Sequence, residues 1–262
     1  MKRTPTTLDL TALPEEIRAL ASGAKIYDSS CSPAARVYFI DRDGGYFLKQ
    51  ASEGTLKKEA EMTSYFHRLG LGAETLGYYS FAEGDLLLTR RVPGEDCTSR
   101  VYLDDPKRLC DLLAESLRSL HERDTAGCPI RDRMKDYIAL ATENYHTGRY
   151  DSYHFPDSFG YRSAEEAWSV FSEGCGALRS EVLIHGDYCL PNVMLDGWRL
   201  SGFIDLGCGG VGNRHVDLFW GCWSLEFNLG CDRYRERFLD AYGRDKIDTD
   251  ILRIVAAAEV FG

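Results

Sequence analysis

Residues 184–207 read IHGDYCLPNVMLDGWRLSGFIDLG, and they constrain the chain more than any other stretch. Two runs of strand character, Glu181 to Ile184 and Leu200 to Ile204, bracket this segment. Asp187 therefore falls in a loop after a strand, Asn192 follows five positions later, and Asp205 closes the second strand. Any one of them alone would be read as a turn cap, the usual use of Asp and Asn. Together they supply what phosphoryl transfer asks of a protein: a carboxylate to orient an attacking hydroxyl, and oxygen ligands to hold magnesium against phosphates.

Such chemistry also calls for a strand lysine that meets phosphates and a helix glutamate that holds the lysine. Residues 24–50 alternate apolar and polar positions, and Asp43-Gly44-Gly45 between VYFI and YFLKQ predicts a β-hairpin with Lys49 on its second strand. From the alternation alone, Lys49 would be a solvated edge residue. Leu56, Ala60, Thr63 and Phe66 recur at helical spacing from Thr55 to Leu69, and Glu59 borders their apolar face, so an ion pair with Lys49 is geometrically reasonable. Strand-like runs at Thr75 to Phe81 and Leu86 to Val92 lead to a break at Pro93-Gly94. The chain divides on this reading into residues 1–92, a sheet with one inserted helix, and residues 93–262, a mostly helical lobe, which is an α+β organisation. The second lobe opens with Asp105 as a cap, Pro106 in the first turn, and Leu109, Leu113, Leu117 and Leu120 on one face. An aromatic loop spans Tyr150 to Arg162, and Ser163-x-x-Glu166 reads as a capping box.

Other chemistries fit less well. Gly207 to Gly212 spell G-x-G-x-x-G after a strand, the dinucleotide fingerprint, but the residues that follow look helical throughout and offer no second strand to complete a βαβ unit. No G-x-x-x-x-G-K-[ST] occurs, which excludes a P-loop kinase. The nine cysteines are an odd count without a C-x-x-C pair, and indicate reduced thiols rather than disulfides or a zinc site. A net charge of −10 argues against a nucleic-acid backbone as partner and permits a cationic one. No apolar run approaches the ~20 residues of a membrane span, and the first residues lack the apolar core of a signal peptide, so a cytoplasmic protein, a monomer or weak dimer, is expected.

HGD-x4-N followed by IDLG, with a strand lysine and a helix glutamate upstream, resembles the aminoglycoside phosphotransferase branch of kinase-like enzymes. HGDYCLPNVM, SGFIDLG, LLLTRRVPGED and LHERDTAGCP narrow it, being similar to stretches of aminoglycoside 3'-phosphotransferases, and the similarity spans essentially the whole chain. The resemblance implies a bilobal protein-kinase-like fold and transfer of the γ-phosphate of ATP to an aminoglycoside hydroxyl. It implies Asp187 as catalytic base, Asn192 and Asp205 as Mg2+ ligands, Lys49 as phosphate ligand and Glu59 as its anchor. It places the loop Ser29-Ser30-Cys31-Ser32 over the ATP phosphates, with Ser30 and Ser32 donating hydrogen bonds. Phe47 corresponds to an adenine-stacking aromatic, although the residues alone suit a core phenylalanine equally. Thr89 to Val92, including Arg91 and Val92, correspond to an interlobe hinge that reads the adenine edge. His185 reads as a structural residue rather than an acid or base.

For the acceptor, the resemblance points to carboxylates at Asp157, Glu165 and Glu166 and to the ending AAAEVFG, where Glu259 and Phe261 match a family glutamate and terminal phenylalanine. Glu165 and Glu166 read equally as a solvated helix start. The chain departs from the family where Cys208 and Trp223 stand at usual arginine positions, where Ala258 replaces an aspartate, and where Gly262 follows Phe261. These departures keep a second enzyme reading open, a related small-molecule kinase acting on another amino alcohol, sugar or antibiotic. A catalytically silent nucleotide-binding module would require Lys49, Asp187, Asn192 or Asp205 to be missing, and none is.

Overall fold

The structure, a computed structural model, describes residues 3–150 and 160–262. Two compact units emerge, one of residues 1–96 with 193–207, the other of residues 97–192 with 208–262.

The first unit is built on strands β1 (Thr4–Thr6), β2 (Lys25–Asp28), β3 (Ala35–Asp41), β4 (Tyr46–Ala51), β5 (Thr75–Phe81) and β6 (Gly84–Arg90), with helices α1 (Glu15–Ala21) and α2 (Lys57–Arg68). The strands form an antiparallel sheet in the order β1-β2-β3-β4-β6-β5. The expected hairpin is β3–β4, with Ile40 opposite Tyr46 and a turn in which Asp43, Gly44 and Gly45 all have positive φ. Gly45 is required there, because a Cβ would lie 2.5 Å from the Phe39 ring. Alternation along β4 sends Tyr46 and Leu48 into a core with Ile17 of α1, Ile40, Leu86 and Leu88. Phe47 and Lys49 consequently occupy the opposite face, half-buried.

β6 ends at Arg90, two residues before the expected Val92, although the Arg91 N–H carries the register with β4 one step further, to the Gly45 carbonyl at 3.0 Å. Further on, β7 (Glu95–Asp96) pairs with β9 (Val193–Leu195), and β9 with β10 (Leu200–Phe203), which ties 193–207 to the first unit rather than to the surrounding sequence.

The second unit contains α3 (Arg100–Leu103), α4 (Pro106–His121), α5 (Arg133–Thr147), α6 (Ala164–Gly174), α7 (Arg214–Leu229), α8 (Arg235–Tyr242) and α9 (Thr249–Glu259), with β8 (Val182–Ile184) paired to β11 (Gly210–Gly212). The four leucines expected on one face of α4 are all buried, and Asp105 accepts the Arg108 N–H with Pro106 at the first position. Ser163 caps α6 as expected, but Glu166 does not close the box. Its carboxylate accepts the Arg162 N–H instead, at 2.9 Å. Gly210 and Gly212 sit in a strand that packs against Ile130 and Ile184, so the G-x-G-x-x-G run is a packing feature and opens no helix at a nucleotide. An antiparallel sheet with one inserted helix in one unit and helices in the other matches the α+β class read from the sequence.

Candidate active site

In the first unit, three side chains meet at the Lys49 ammonium. Lys49 Nζ donates to both Glu59 oxygens, at 2.8 and 3.0 Å, and to Asp205 Oδ1 at 2.9 Å. The lysine is delivered by the pleat of β4, the glutamate by the buried face of α2, and Asp205 by the end of β10, where its own φ is +58. Burial would lower the Lys49 pKa, but the charges of Asp205 and Glu59 outweigh it and hold the ammonium above its ordinary range. Glu59 is raised by burial, against the pull of Lys49. Its bidentate contact is that of an ion pair. Asp205 differs from Glu59 in being 52% exposed.

The neighbouring sequence candidates are distributed along the same unit. Ser30 Oγ accepts the Val37 N–H at 2.9 Å and its own N–H donates to Asp28, while Ser32 Oγ accepts from Ala34. Phe47 lies against Phe39, ring centroids 5.2 Å apart, on the lysine face of the sheet. Arg91 donates to the Gly94 carbonyl, and Val92 is buried with Ala73 and Met194.

In the second unit, the loop 185–192 is held from within and from behind. Asn192 Nδ2 donates to Asp187 Oδ2 at 2.8 Å and to its carbonyl at 3.0 Å, which fixes the carboxylate and leaves the carbonyl as the oxygen Asn192 offers a ligand. Behind the loop, Asp217 of α7 is fully buried and accepts from the N–H groups of His185 and Gly186, at 2.8 and 2.7 Å, and pairs with His121 Nε2 at 3.0 Å. Buried His185 accepts the Asp187 N–H at 3.2 Å through Nδ1, the structural role expected of it. Gly186 has φ +83, and a Cβ there would run into the Cys208 carbonyl.

Glu259, at the end of α9, is the other notable carboxylate of this unit. Its Oε1 accepts from Tyr137 OH at 2.7 Å and Trp220 Nε1 at 3.1 Å. Burial is the main cause that raises its pKa to about 7, the two hydrogen bonds oppose it, and the charge of Asp187 adds to it. The remaining acceptor candidates are not gathered around it. Phe261 is fully buried with its ring against Tyr145, Tyr150 and Trp168, and its carbonyl is taken by Asn144. Glu165 is exposed and Glu166 is bound to Arg162. Asp157 lies outside the described residues.

Several supporting residues escaped the sequence reading. Asp217 is one, and Asp85 is another: it accepts from the N–H groups of Gly54 and Leu56 and the hydroxyls of Tyr78 and Ser80, and so pins the start of the helix that carries Glu59. Burial would raise the Asp85 pKa, and these four bonds together lower it. The available signal was a lone aspartate inside an apolar run, GDLLL in one case and HVDLFW in the other.

The sequence matches the profile of the phosphotransferase enzyme family over residues 30–254. A protein of Lactococcus lactis named "Probable aminoglycoside 3'-phosphotransferase" is 48% identical over 255 residues, 97% of either chain. Among solved structures, an aminoglycoside-3'-phosphotransferase of type VIII superposes with a TM-score of 0.78 at 24% identity, covering 94% of this chain and 97% of the other. An aminoglycoside phosphotransferase of Streptomyces rimosus, bound to ADP and streptomycin, gives 0.77 at 22% identity over 94% and 95% of the two chains. Likeness at these identities is likeness of fold.

Proposed function

Because the chain belongs to the phosphotransferase enzyme family, we propose that it moves the γ-phosphate of ATP to a hydroxyl of an aminoglycoside antibiotic, the 3'-OH of kanamycin-like substrates, and so confers resistance. The observation that carries this reading is the Lys49 ammonium bound by Glu59 of the next element and by Asp205 from 156 residues further along the chain. Such an arrangement has a use when phosphates arrive: a lysine held in place by one carboxylate can exchange its second for an anionic oxygen. Glu59 is the anchor, being bidentate and buried, and Asp205 is the exchangeable partner.

The nucleotide half of the reaction falls to the first unit. Phe47 offers the adenine a half-buried aromatic face, the backbone at Arg91 and Val92 its edge, and Ser30 and Ser32 their hydroxyls to the phosphates. Asn192 and Asp205 would hold Mg2+: both supply oxygen, the ligand this hard cation takes, and the Asn192 amide nitrogen is already committed to Asp187. Bound there, the ion neutralises charge on the transferring phosphate. Asp187 orients the acceptor hydroxyl and takes its proton as the new O–P bond forms, while Asn192 and the Asp217 clamp hold the carboxylate still. Glu259 receives an ammonium group of the drug, and the influence of the Asp187 charge on it supports an acceptor carboxylate near the base. Among the described residues no helix is long and apolar enough to cross a membrane, and the enzyme would work in the cytoplasm, where ATP is.

Acceptor-dependent ADP release, measured with kanamycin and a panel of other amino sugars, tests the reading, with the phosphorylated position assigned by 31P-coupled NMR. Kanamycin-stimulated turnover with phosphate on the 3'-oxygen is expected. Turnover only with an acceptor lacking amino groups would overturn it.

A further inference from the structure

One face of α7 carries an aromatic ladder that the proposed chemistry leaves unused. Trp220, Trp223 and Phe227 fall at helical spacing on one side of the helix. Trp220 meets Trp223 edge to face, centroids 5.4 Å apart at 83°, and Trp223 stacks on Phe227 at 5.0 Å and 12°. Phe227 is 71% exposed, more than any other large apolar side chain among the described residues. Together with Glu226, Gly230 and Cys231, the outer pair lines a cleft of about 310 Å³. The inner end of the ladder is Trp220, whose Nε1 donates to Glu259. Ser224, between the two tryptophans and Phe227 in sequence, binds the Leu190 N–H at 2.9 Å, so the helix runs beside the loop that holds Asp187.

An exposed aromatic stack with a carboxylate at each end, Glu259 within and Glu226 without, on a chain of net charge −10, is the complement of a ring that is apolar on its faces and cationic at its edge. A charged amino sugar is such a ring. We infer that Trp223 and Phe227 form a stacking platform for an outer ring of the aminoglycoside acceptor, with Glu226 receiving an ammonium group of that ring. The inference rests on the aminoglycoside reading above and adds a specificity determinant to it.

Steady-state kinetics on wild type, Trp223→Ala, Phe227→Ala and Trp223→Phe, with kanamycin and with the two-ring fragment neamine, test the platform. The alanine variants should raise the kanamycin KM by about fivefold, the fold-change that an exposed cation–π contact supports. Trp223→Phe should stay within about twofold of wild type, since a ring face is retained. The KM for ATP and the KM for neamine, which has no outer third ring, should not move. A kanamycin KM unchanged in both alanine variants, with wild type turning the drug over, overturns the platform alone. Wild type that turns over no aminoglycoside overturns the underlying reading instead. Sedimentation of the same proteins supplies the remaining outcome: a wild-type dimer lost in Trp223→Ala makes a second copy of the chain the occupant and overturns the assignment to the drug.

Discussion

Glu259 takes both of its hydrogen bonds on one oxygen, from Tyr137 and Trp220, and two neutral donors do not repay the cost of burying a charge. Its carboxyl is raised from 4.5 to about 7, so the folded chain holds a proton there more tightly than the unfolded chain does. Folding stability from this group is therefore fully present below about pH 4.5 and is lost as pH rises towards 7, a slope worth at most about 3 kcal/mol. Glu259→Gln keeps the acceptor oxygen and removes the titration. Urea melts at about pH 5 and pH 8 should show wild type losing stability relative to the variant at the higher pH. The same substitution should raise the KM for kanamycin by about tenfold near pH 8 while leaving that for ATP within about twofold, since a charge-assisted hydrogen bond to an ammonium is lost. For Asp187, steady-state kinetics on Asp187→Asn should show turnover down by ~100-fold or more with nucleotide binding nearly unchanged, because the proposed base acts on the acceptor. These residues were legible because their sequence context names them. Asp217 and Asp85 were not, because the backbone N–H groups they serve lie 29 to 32 residues away in the chain, and an aspartate inside an apolar run does not by itself say which groups it accepts from.

At the scale of elements, the loop 185–192 owes its shape to α7 more than to itself. Asp217 itself is closed to water and gathers two consecutive backbone N–H groups and a histidine, so removal of its carboxylate leaves the buried His185 N–H and His121 ring and the half-buried Gly186 N–H without their partner. Asp217→Ala should lower the unfolding free energy by ~3 kcal/mol, read from the denaturant midpoint, and lower kcat more than it raises the KM for ATP. A loss of stability with kcat intact would make the residue purely structural. The hairpin, α2 and the capped start of α4 were legible because each spans at least two periods of its pattern and carries its own turn or cap chemistry. Strands of two or three residues such as β7, β9 and β11 span too little of a period to be told from loop, and tertiary pairing decides them. That is why the G-x-G-x-x-G run resembled a binding loop in sequence and is a paired strand in the fold.

At the scale of the whole molecule, a net charge of −10 attracts a polycation before any contact forms. Raising the ionic strength from about 0.05 to 0.5 M should increase the kanamycin KM several-fold, as the Debye length contracts well below 10 Å. A KM indifferent to salt would confine recognition to desolvated contacts. The tether between the two units carries a different consequence. Since Val193–Gly207 returns to the first unit, no single cut in the gene separates the halves, and exchanging codons 1–96 with a relative would leave β9, β10 and Asp205 behind. Recombination there would set the Lys49 and Glu59 of one parent against the Asp205 of another. Only an exchange with two crossovers, one that carries 193–207 along with 1–96, keeps Lys49, Glu59 and Asp205 of one parent together.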